Sequence, residues 1–311
     1  MKDKNIIFMG TPTFAVPILK KLIENYHVSL VVSQPDREKD RKGNILATPV
    51  KIVAQENNIA VYQPTNIKRE YQTILDKKPD IIITCAYGQI IPKEVLNYPQ
   101  YGCINIHGSL LPKLRGGAPI HHAIINGDKY TGITIMYMDE KMDTGDIIKQ
   151  EKITIDDNDN LDSLYQKMSN LGAKLIIDTL PSIFNKTNQR IKQDEKEVTY
   201  GYNITKEEEK INFNLKSLDI YNKIRGLSSH PGAYCLINNK RMKVYNSKLT
   251  DIKSNQIPGK IDKIDKTGIY VNTKDKIIKL TDIKIEGKRR CLVKDFVNGI
   301  NPKEYIGMIL H

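Results

Sequence analysis

The chain has 311 residues, 48 Lys+Arg against 36 Asp+Glu, a formal charge of +12, 40% hydrophobic residues and no Trp. That length favours two domains, and that apolar content sustains real cores. Cys85, Cys103, Cys235 and Cys291 are scattered without a C-x-x-C pair, so they offer neither a zinc site nor a disulfide framework, and no metal is expected. No apolar run nears about 18 residues, and the start is too short in apolar length for a signal peptide. The expectation is a soluble, cytoplasmic protein without membrane association.

The charge is unevenly placed. Residues 206–311 hold 22 Lys+Arg against 12 Asp+Glu, while residues 1–205 hold 26 against 24. A basic module joined to a near-neutral one is the electrostatic footprint of a polyanion binder, most simply of nucleic acid.

In chain order, Asn5 to Gly10 reads as a buried strand, Phe14 to Ile23 as a helix with Pro17 in its first turn, and Val28 to Ser33 as a second strand. This βαβ opening predicts a doubly wound, Rossmann-like parallel sheet. The turn Gly10-Thr11-Pro12-Thr13-Phe14-Ala15 lacks G-x-G-x-x-G, which disfavours a dinucleotide and hence an oxidoreductase. Residues 34–49 form a long charged loop at the carboxyl end of the second strand, where such sheets keep their ligands. Arg37, Arg41 and Lys42 on it can reach a phosphate chain. Helices are predicted over 49–58 and 66–76, with strands over 59–62 and 79–86 between and after them.

The next strand carries Cys103-Ile104-Asn105-Ile106-His107. Residues two apart share a face, so Asn105 and His107 point together into one cleft. An amide donor beside an imidazole suits a reaction that passes through an oxyanion; the plainer reading is a core strand with satisfied polar groups. After Pro112 come Arg115-Gly116-Gly117-Ala118-Pro119 and a helix whose His121 and His122 read as structural. Asp143, in Asp143-Thr144-Gly145-Asp146, is placed to hold an imidazole, order a water or accept a proton, or else only to cap its own Asx-turn. Asn160 caps an amphipathic helix that ends before Pro181. Residues 189–205 read as a linker, with Lys192 adding to a polyanion surface. Beyond them, five short alternating strands between 233 and 285 predict a small OB-like barrel.

Asn105 to Pro112, Arg115 to Pro119 and Met142 to Asp146 together resemble the signatures of the folate-dependent formyltransferases. Gly10-Thr11-Pro12, Gln34-Pro35-Asp36-Arg37 with Thr48-Pro49-Val50-Lys51, Ile204 to Glu208, and Ile224-Arg225-Gly226 to Ala233 narrow the resemblance to members that act on methionyl-tRNA. It covers nearly the whole chain. It implies the formyltransferase fold and transfer of a formyl group from 10-formyltetrahydrofolate to the α-amino group of methionine on initiator tRNA. It further implies a catalytic set of Asn105, His107 and Asp143, and folate contacts from Ser109, Leu110, Leu111 and Pro112. The loop around Arg41 would enter the acceptor stem, and the barrel would hold the tRNA. The domains then read as 1–188 catalytic, 189–205 linker and 206–311 tRNA-binding, in a monomer. Two other readings are a formyltransferase for a sugar-nucleotide or other small amine, and a non-catalytic RNA-binding protein.

Overall fold

The computed structural model describes residues 3–37 and 43–311. These divide into two compact units. The first comprises the chain to Pro119, Tyr130–Thr154 and Tyr165–Tyr202; the second comprises Ile120–Lys129, Ile155–Leu164 and Asn203–His311.

The first unit is built on a seven-stranded sheet. Its strands are β1 (Asn5–Gly10), β2 (His27–Val32), β3 (Ala60–Tyr62), β4 (Ile81–Cys85), β5 (Cys103–His107), β6 (Tyr130–Tyr137) and β7 (Ile147–Thr154), in the order β3-β2-β1-β4-β5-β6-β7. The first five are parallel, as the βαβ opening predicts, and β6 and β7 run antiparallel at one edge. Strand β4 is buried at every position because helices cover parallel sheets on both faces. Around it stand α1 (Val16–Asn25), α2 (Pro49–Glu56), α3 (Gln72–Asp76), α4 (Lys93–Leu96) and α6 (Leu161–Phe184), with α5 (Pro119–Ile125) between β5 and β6. Thr48 caps α2 by accepting from Lys51 N–H, ahead of Pro49 at N1.

Three predicted helices change length. The one over 49–58 ends at Glu56. Only Gln72–Asp76 of the 66–76 segment is α-helical. Asn66 instead heads a turn, its carbonyl accepting the N–H groups of Arg69 and Glu70 while Glu70 Oε1 bonds back to Thr65 and Asn66. Helix α6 runs through Pro181 to Phe184. Pro181 removes one helix bond, and the burial of Ile183 and Phe184 offsets that loss over the remaining turn.

The second unit holds α7 (Ser217–Leu227), β8 (Ala233–Ile237), β9 (Lys240–Lys253), β10 (Ile261–Asp265), β11 (Gly268–Val271), β12 (Lys276–Ile285), β13 (Cys291–Leu292) and α8 (Val293–Phe296). The antiparallel sheet runs β10-β11-β12-β9-β8, with β13 on β12. Its two edges meet through the last residues. His311 exchanges backbone bonds with Leu236 on β8, while Leu310 N–H donates to Gly259 and Ile261 N–H to Met308. The five predicted strands thus close into a barrel around Met242, Val244, Ile278, Leu280 and Leu310. The unit also takes in α5 and residues 155–164: Arg225 Nη1 donates to the carbonyls of Asp156 and Asp159, and Tyr221 to that of Asp157.

Candidate active site

The carboxyl ends of β1, β4 and β5 form the edge where an open α/β sheet keeps its ligand. Strand β5 delivers Asn105 and His107 there. Ile104 and Ile106 are buried on the opposite side of the pleat, with Gly172 of α6 next to Ile106. Thr84, paired with Asn105 across β4 and β5, donates its hydroxyl to Asn105 Oδ1 at 2.8 Å. No hydrogen bond holds Asn105 Nδ2 among the described residues, so its two N–H donors remain for the cleft.

His107 is 5% exposed. Its Nε2 lies 3.0 Å from the carbonyl of Leu114, which fixes a proton on that nitrogen. Its Nδ1 lies 3.6 Å from Asp143 Oδ1. That is an ion-pair separation rather than a hydrogen bond. Nε2 therefore donates to Leu114, while Nδ1 faces the Asp143 carboxylate without bonding it directly.

The antiparallel hairpin β6–β7 carries Asp143 to this place. Its carboxylate does not close its own turn: Asp143 Oδ2 accepts the backbone N–H of Gly116 at 2.8 Å. Asp139 makes the local turn bonds, from Lys141 N–H and Thr144 Oγ1. Asp143 sits at φ +56°, an uncommon region for a non-glycine residue. The turn presses so close to β6 that a Cβ on Gly145 would stand 1.9 Å from the Tyr137 carbonyl. Only glycine fits there.

Of the loop after β5, Leu110 and Pro112 keep half-exposed side chains. Ser109 Oγ donates to the Lys113 carbonyl, and Leu111 packs with Met136 and Ile147. Gln150 Nε2 holds the Leu111 carbonyl, and Thr134 Oγ1 holds that of Ser109. The loop is thus a rigid wall presenting Leu110 and Pro112.

Arg37 is exposed at the exit of β2; Arg41 and Lys42 lie outside the described residues. The Gln34–Arg37 and Thr48–Lys51 motifs meet at the loop base. Lys51 Nζ reaches Asp36 Oδ2 at 2.5 Å and Gln63 at 2.9 Å. Burial works against the Asp36 carboxylate, but Lys51, Gln63 and the Thr48 N–H hold it below its ordinary range. Lys192 is exposed, between Ile191, which pairs with Ile147 of β7, and Gln193. Cys85 and Cys103 are buried, and burial pushes both thiols up, away from nucleophilic use.

Sequence reasoning missed Thr84, Gln193 and a lysine–tyrosine row on the barrel. Lys263, Tyr270, Lys279 and Lys248 stand in register across β10, β11, β12 and β9. Lys284 and Lys243 oppose each other in the same sheet. Directly opposed like charges weaken a sheet, so the array costs stability where it stands. Pairing two strands by period was the available signal, but register was not legible.

The formyl transferase family model matches residues 4–180, and the formyl transferase C-terminal domain matches residues 203–301. The chain belongs to the formyl transferase family. A methionyl-tRNA formyltransferase from Malacoplasma penetrans is 46% identical over 99% of this chain and 97% of its own length. Another, from Bacillus velezensis, is 45% identical over 97% of each. Among solved structures, an N-formyltransferase from Helicobacter canadensis, in complex with folinic acid and dTDP-3-aminofucose, superposes with a TM-score of 0.66. It is 23% identical over 93% of this chain and 99% of that one, a likeness of fold. Family membership accords with the predicted Rossmann-like sheet followed by an antiparallel β domain.

Proposed function

We propose that this enzyme transfers the formyl group of 10-formyltetrahydrofolate to the α-amino group of methionine on initiator tRNA. The observation that carries the reading is the 46% identity to a methionyl-tRNA formyltransferase over 99% of the chain. Asn105, His107 and Asp143, gathered at one edge of the sheet, supply groups that such a transfer uses.

The residues fit a flat formyl donor with polar edges. Leu110 and Pro112 offer apolar contact, and Nδ2 of Asn105 is unengaged. The donor, once bound, supplies an activated formyl carbon. Asn105 Nδ2 donates where negative charge develops on the formyl oxygen. His107, with Nε2 on the Leu114 carbonyl, contributes positive charge at short range rather than the direct bond. Asp143 balances that charge and, through water, takes the proton that the attacking amine must lose, and a proton returns to the donor nitrogen as its bond to the formyl carbon breaks. Ser109 and Leu111 act by holding the wall in place. No covalent enzyme intermediate is required, and much of the rate comes from alignment.

We assign residues 1–188 to catalysis and 206–311 to tRNA binding; of the stretch between them, 189–202 pack in the first compact unit, which leaves 203–205 at the start of the second. The barrel's lysine–tyrosine row suits a phosphate backbone with accessible bases. Arg37 and Lys192 add charge on the catalytic unit, and Arg41 and Lys42 complete the acceptor-stem loop. The acting species is a monomer in the cytoplasm, where charged tRNA is used. The test is formylation of charged initiator tRNA with 10-formyltetrahydrofolate, against uncharged tRNA and a nucleotide-sugar amine. Transfer to the charged tRNA alone is expected; transfer to the sugar amine, or none, overturns the reading.

A further inference from the structure

The Asp143 turn is strained and solvent-facing, yet its carboxylate has a fixed direction. Gln193 is the residue placed to hold it. Its Nε2 donates to the carbonyl of Asp143 at 2.8 Å and to that of Gly145 at 2.9 Å. Its Oε1 accepts from Arg115 Nε at 3.0 Å and Nη2 at 2.9 Å. Arg115 is 2% exposed, and Glu195 takes the rest of its guanidinium at 2.9 Å. Arg115 precedes Gly116, whose N–H binds the Asp143 carboxylate. One side-chain amide thus joins the backbone of Asp143 to the segment that grips its carboxylate.

The neighbouring residues fasten this clamp from outside. Ile191 and Ile147 exchange backbone bonds of 2.8 and 2.9 Å, and Arg190 Nε reaches Asp146 Oδ2 at 3.0 Å. Thr199 and Gly201 carry backbone bonds to Arg115 on its other side. A left-handed conformation at a non-glycine residue persists only where its surroundings over-determine it. Both carbonyls that flank the turn's tip spend a lone pair on Gln193.

We propose that Gln193 is a positioning residue for Asp143, fixing the carboxylate toward His107 during formyl transfer. The proposal rests on the catalytic reading given above. Gln193→Glu is the informative variant: a carboxylate still binds Arg115 but offers no proton to the two turn carbonyls. Gln193→Ala removes both ends. In steady-state formylation, Gln193→Glu is expected to lower kcat about 10- to 100-fold, with KM for both substrates within about twofold. In an Asp143→Asn background, the same change is expected to cost less than about twofold, because residues that act as a unit are non-additive. Gly116 amide exchange, read by NMR without substrate, should quicken about tenfold in both single variants as the carboxylate loses its place. Unchanged Gly116 protection, or a kcat loss that recurs in full beside Asp143→Asn, overturns the proposal. The exchange measurement does so whether or not the wild-type protein formylates methionyl-tRNA.

Discussion

Thr84 donates its hydroxyl to Asn105 Oδ1 at 2.8 Å across the paired strands β4 and β5. An amide can flip by exchanging its oxygen and nitrogen; this bond removes the choice. Asn105→Ala is expected to lower kcat by about 10²–10³, the usual loss for one oxyanion donor. Thr84→Val keeps the shape and loses the anchor, so a smaller loss of about 5- to 10-fold is expected, with Thr84→Ser restoring the rate. A Thr84→Val enzyme with the wild-type kcat would show that Asn105 needs no such anchor.

Gly116 has φ +123°, and a Cβ there would stand 2.8 Å from the Gly201 carbonyl. Gly116→Ala must therefore shift the backbone whose N–H holds Asp143. A loss of stability on the order of 1–3 kcal/mol is expected, together with a fall in kcat. Chemical denaturation and steady-state kinetics read the two effects separately.

His121 supplies a pH dependence. Burial lowers its pKa from 6.5 to about 4, against an opposing hydrogen bond that the ring donates to the His230 backbone. The unfolded chain therefore binds a proton between those values that the folded chain refuses. Stability contributed by neutral His121 is complete above about pH 6.5 and is lost as pH falls towards 4, to a total on the order of 3 kcal/mol. Urea midpoints at pH 7 and pH 5 should differ less in His121→Gln than in the wild type; an equal difference would remove His121 as the cause.

Leu310 is 2% exposed, in the segment that joins the barrel's edges. Leu310→Ala is expected to cost about 2–5 kcal/mol. Loss of residues 307–311 should do more, because it bares two strand edges to other chains. Thermal unfolding and light scattering distinguish the first effect from the second.

Lys248 and Lys279 face each other in the barrel's basic row. If that row meets the tRNA backbone, each Lys→Gln change lowers the slope of log K against log salt by about 0.9. Binding titrations at several salt concentrations measure it, and an unchanged slope for the double variant removes the row from the interface. Surface variants are the cleaner route here, since residues 206–311 also bury α5 residues of their own compact unit.

The sequence by itself determined the strands and the shared face of Asn105 and His107. Strand β4 is an uninterrupted apolar run, and β5 alternates two isoleucines with Asn105 and His107, so period alone assigned both their structure and their shared face. The charge surplus of residues 206–311 and the spacing of five short strands marked a basic β domain. Tertiary structure decided what joins those parts. Gln193 lies 50 residues from Asp143 in the chain, inside a polar stretch whose composition reads as a linker. Thr84 looks like one more residue of a buried strand until its register with Asn105 is set, and Leu310 gains its role only where both barrel edges arrive. Local periodicity records which face a residue occupies; it holds no record of which distant polar group must be satisfied there. Those partners are set by the packing of elements against one another, where each buried or strained group has to find its hydrogen bond.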